Sequence, residues 1–70
     1  MHSNKKLWDL QIHILQLRAT VTRHQLAWNV ARNDKERLTH ERIIWNAQGR
    51  IAQATEQEET LTRYLEQQGR

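Results

Sequence analysis

Wound as an α-helix at about 100° per residue, residues 4–32 carry apolar side chains on two separate stripes, where an ordinary surface helix needs only one. One stripe holds Leu7, Leu10, Ile14, Leu17, Val21 and Trp28; the other holds Trp8, Ile12, Leu15, Ala19, Leu26 and Val30. Polar strips separate them, with Asp9, His13, Gln16, Thr20 and Arg23 on one side and Gln11, Arg18, Thr22, Gln25 and Asn29 on the other. The rest of the chain can supply one long helix, which covers one stripe. The other stripe therefore implies a second copy of the chain or a different protein.

Size points the same way. A chain of 70 residues forms one domain at most and buries too small a fraction of its surface to be comfortably stable without help. Cysteine is absent, which excludes disulfides and thiolate zinc sites. The four histidines, His2, His13, His24 and His40, include no pair at the i, i+4 spacing that lets a helix chelate, so neither metal nor cofactor is expected. Association remains as the stabiliser.

Proline is absent and glycine occurs only at Gly49 and Gly69, while good helix formers dominate. The composition implies an all-α fold, and three tryptophans argue against a chain that stays disordered. Negative mean hydropathy, the lack of a long uncharged apolar run and a polar N-terminus imply neither membrane span nor secretory signal, and a cytoplasmic protein is expected.

The chain changes frame near its middle. The heptad line from Leu7 runs through Leu10, Ile14, Leu17, Val21, His24, Trp28 and Ala31, and then becomes mostly polar. A second frame, shifted by two residues, fits Ile44, Ala47, Ile51, Ala54, Glu58, Leu61 and Leu65. Such a shift marks either a discontinuity in one long coiled coil or a reversal. Local chemistry favours reversal: Asn33 is a good N-cap, Glu36 can reach back to the cap's amide, Asp34 and Glu36 suit a helix start, and Arg32 suits a helix end.

The sequence thus predicts a single domain over residues 1–70, a coiled-coil-like antiparallel hairpin with helix 1 over about 4–32, a turn at about 32–35 and helix 2 over about 35–67. Its length is about 40–50 Å at 1.5 Å per residue, against about 100 Å for the alternative, a structural coiled-coil rod. Folding back places Lys5 and Lys6 beside Glu58, Glu59 and Glu66. Gly49 and the Thr55-x-x-Glu58 box are weaker break signals, and Gln67 to Arg70 are expected to fray.

Core or dimer-seam positions are Leu7, Trp8, Leu10, Ile12, Ile14, Leu15, Leu17, Val21, Leu26, Trp28, Ile44, Ile51, Leu61 and Leu65. Two hairpins closing face to face would give a homodimeric four-helix bundle. Leu38, Arg42 and Trp45 lie off the main face of helix 2 and are the candidate partner-binding residues, because exposed tryptophan is enriched among binding hot spots.

No catalytic arrangement is visible: Ser3 is the only serine, and the acidic residues Glu56, Glu58 and Glu59 resemble a solvated helix end. The net charge is +3, and Arg23, Arg32, Lys35, Arg37 and Arg42, with His24 and His40, would form a basic hairpin tip able to meet phosphates. Against this, Asp34, Glu36 and Glu41 stand among those cations, and Glu36 and Glu41 are placed to pair locally with His40 and Arg37. His24 falls on a core position, where a hydrogen bond across the helices, or a pH-sensitive seam, is expected. The leading expectation is a small dimeric helical regulator or adaptor that binds another protein. Nucleic-acid binding by the basic tip is the alternative.

Overall fold

The computed structural model describes residues 2–69, with side chains from Lys5 to Gly69; the side chains of His2, Ser3 and Asn4 and the whole of Met1 and Arg70 lie outside the described residues. The chain forms an antiparallel hairpin of α1 (His2–Asn29) and α2 (Asp34–Gln68), with no strand among the described residues. It measures 56 × 15 × 13 Å. That is somewhat longer than expected from the sequence because α2 alone, at 35 residues, spans about 52 Å. A continuous rod is excluded.

Reversal takes more residues from α1 than the sequence suggested. α1 ends at Asn29 rather than near 32, and the Ala31 amide closes a tight turn onto the Trp28 carbonyl at 3.2 Å. The cause is the cap of α2. Asn33, in extended backbone, accepts a 2.9 Å hydrogen bond from the Glu36 amide through its side chain. The Glu36 carboxylate reaches back one residue further than expected and accepts from the Arg32 amide, not the Asn33 amide, at 3.0 Å. Arg32 is thereby committed to starting α2 and lies beyond the end of α1, so it cannot serve as that helix's terminal cation.

α2 passes through Gly49 and the Thr55-x-x-Glu58 box as one helix. It continues to Gln68, and the Gly69 amide donates to the Leu65 carbonyl at 2.9 Å. The two helices are held differently at their ends. α2 begins with Asp34 and Glu36 in its first turn, whereas α1 has no acidic residue in its first turn and no basic residue in its last. Lacking those dipole-complementing charges, α1 depends more heavily on packing against its partner.

The seam is narrow. Among the described residues only Ile14, Ala47 and Ala54 are buried, and no large side chain is completely enclosed. Leu7, Leu10, Leu17, Val21, Trp28, Ile43, Ile44, Ile51, Leu61 and Leu65 are half-buried along it. The two alanines allow the helices to approach closely beneath Ile14 and its neighbours. This is a line of contact, not an enclosed core, as two helices alone must produce.

Candidate interaction surface

The structure turns one of the two apolar stripes of α1 toward α2 and leaves the other facing away from it. Leu7, Leu10, Ile14, Leu17, Val21 and Trp28 face α2. Trp8, Leu15, Leu26 and Val30 remain 62–78% exposed, with Ile12 and Ala19 exposed between them. At about 100° per residue this outer stripe lies roughly 160° around α1 from the seam, on the far side of the helix from α2.

α2 repeats the pattern on a smaller scale. Its seam holds Ile44, Ala47, Ile51, Ala54, Leu61 and Leu65, and its opposite face carries Leu38, Trp45 and Ala52. Trp45 is 80% exposed and projects furthest from that face. Arg42 is exposed beside it. Leu38, Arg42 and Trp45 border one shallow surface depression together with Glu41 and Ile44, so the three residues chosen from the sequence come together. Tyr64 was not singled out by the sequence reading; it is half-exposed beside Lys6, Leu10, Glu56 and Leu61 at the open end of the hairpin. Its spacing of three from Leu61 was the available signal.

The expected basic tip is more neutralised than its composition implies. Arg37 pairs with Asp34 at 3.1 Å, and its guanidinium lies 5.7 Å from the centre of the Trp28 ring. This replaces the expected Arg37–Glu41 pairing. Glu41 instead accepts a 3.1 Å hydrogen bond from the Trp28 indole. Arg23 turns back on its own helix to donate to the Thr20 hydroxyl at 3.3 Å. His24 and His40 face each other across the seam with their Nδ1 atoms 2.9 Å apart, so one ring donates and the other accepts. His40 therefore pairs with His24 and not with an acidic neighbour, and Glu36 is occupied by the cap.

Arg32, Lys35 and Arg42 are exposed around this end. At the other end, Lys6 and Glu56 border the same groove, but the Arg37–Asp34 pair is the one salt bridge among the described residues. No family model matches this chain, and neither a curated protein nor a solved structure matches it. Among the described residues no helix is long and apolar enough to cross a membrane, and no three His, Asp or Glu side chains gather as metal ligands.

Surface area gives the apolar faces a scale. The chain exposes 6108 Å². A compact monomer of 8.4 kDa would expose about 4,600 Å², leaving an excess of about 1,500 Å². A standard protein interface buries roughly 800 Å² on each partner. The excess is about twice the area that such an interface takes from one partner.

Proposed function

We propose that this chain is a non-enzymatic protein–protein interaction module, a helical adaptor or regulator that works in association, with copies of itself supplying the first cover for its outer faces. The observation that carries this reading is the exposed apolar stripe of α1, from Trp8 to Val30. At about 1.5–3 kcal/mol for each large apolar side chain fully buried, covering five of them is a strong drive to associate. Self-association leaves the hairpin tip, with the exposed Arg32 and Lys35, as the contact region for a different protein.

A nucleic-acid role has less support. Phosphate binding needs free cations, and Arg37 and Arg23 are engaged in contacts within the hairpin. The test is the melting temperature at several protein concentrations in low and high salt. Mass action raises Tm with concentration when the folded form associates, and apolar association keeps that dependence in high salt. A Tm independent of concentration in both salts overturns the reading.

A further inference from the structure

The outer faces of α1 and α2 lie on opposite sides of the hairpin, and they differ in charge and in relief. The α1 stripe is flanked by Lys5, Arg18 and Arg23, with Asp9 the one acidic residue of that helix. The outer side of α2 carries Glu41, Glu56, Glu59 and Glu66 against Arg42 and Arg63. Facing a copy of itself, either surface meets its own sign of charge. Facing each other, the two surfaces meet opposite signs, which favours that docking and its rate of encounter.

Relief agrees with charge. Along the α1 stripe the bulky residues Leu15 and Leu26 are about 16 Å apart at 1.5 Å per residue, and only Ala19 fills the apolar line between them. On α2 the one large projection is Trp45, with Gly49 and Ala52 beyond it. The His24–His40 contact sets the heights of the two helices within a hairpin. In that register, a second hairpin laid alongside with the same heading brings its Trp45 level with Ala19, its Ala52 level with Ile12 and its Leu38 level with Leu26, within about one helical turn of 5.4 Å. A projection then meets a depression. Two α1 stripes packed with the same heading and at the same level would instead set depression against depression at Ala19, and two α2 faces so packed would set Trp45 against Trp45.

We infer that a second copy of this chain docks heterologously, with the outer face of its α2, led by Trp45, seated on the outer face of α1 around Ala19. This rests on the proposed role of the chain as a self-associating module and specifies how it associates. Each hairpin keeps one free face of each kind, so the contact repeats. A heterologous contact closes into a ring or propagates as a filament, in contrast to the self-limiting two-fold dimer.

Complementation tests it. Ala19→Arg fills the depression with a cation, and Trp45→Lys removes the projection; both positions are exposed, so each variant retains the seam. Light scattering with size exclusion at tens of micromolar should show wild-type masses above two copies and a single-copy mass for each variant alone. An equimolar mixture of the variants should form a two-copy species and stop there, because it contains one intact pair of faces. A stable dimer of Trp45→Lys alone overturns heterologous docking and leaves self-association standing. Wild-type protein that remains a single copy throughout overturns both.

Discussion

Ile14 and Leu15 are neighbours in sequence and similar in chemistry, yet Ile14 retains 6% of its surface exposed and Leu15 retains 65%. One lies on the seam of the hairpin and the other on the stripe turned away from it. The contrast recurs along α1, in Leu7 against Trp8 and in Val21 against Leu26. A helix with one apolar face can be covered by its own fold; a helix with two offers a second face to a partner. In this chain the same few turns carry both faces, and substitutions that separate them probe the comparison.

The largest expected effect lies on the seam. Ile14→Ala should destabilise the hairpin by about 2–4 kcal/mol, through lost burial plus the cavity left beside Ala47 and Ala54, read by chemical denaturation at one protein concentration. For a seam this narrow, such a loss would leave much of the chain unfolded. The partner experiment is Leu15→Gln on the outer stripe. It should leave the helicity of dilute protein unchanged while weakening self-association about tenfold to a hundredfold, measured by fluorescence anisotropy of labelled protein. If Leu15→Gln unfolds the dilute hairpin as Ile14→Ala does, the two faces are not functionally distinct.

Much of this arrangement was legible in the residues. The two stripes of α1, the frame shift after Ala31 and the Asn33 cap together implied a hairpin, because each is a local pattern with one simple backbone solution. Which stripe would face inward was not legible. Leu10 and Ile14 do not differ in kind from Ile12 and Leu15, and the choice depends on the angle at which α2 returns. Pairings across the seam were hidden for the same reason. That His24 had a cross-helix partner could be expected from its heptad position, but that the partner is His40 required the register. Near the turn, Arg37 had acidic residues both three before and four after it, and the structure selects Asp34 because Glu41 is engaged by the Trp28 indole. The early end of α1 followed from competition for one amide, that of Arg32, which sequence spacing cannot resolve.

Smaller effects calibrate the comparison at single polar contacts and at a mid-helix glycine. Asn33→Ala removes the acceptor for the Glu36 amide and should cost about 1 kcal/mol of hairpin stability in thermal melts, with association affected only through folding. The His24–His40 contact persists only while at least one ring is neutral and can accept. His24→Leu should therefore remove a bond worth about 0.5–1.5 kcal/mol, read in thermal melts at neutral pH. The smallest effect is a gain. Gly49 lies mid-helix with open space where a Cβ would stand, and Gly49→Ala should stabilise the dilute hairpin by about 0.5–1 kcal/mol in thermal melts.

Sedimentation equilibrium of the unmodified chain, run from low micromolar to several hundred micromolar, probes the outer stripe most directly. If that stripe is an interface, the apparent mass should start near 8.4 kDa or above and climb steadily with concentration. A mass fixed at one copy over the whole range, in protein that still melts cooperatively, would mean that the exposed stripe of α1 requires no protein cover.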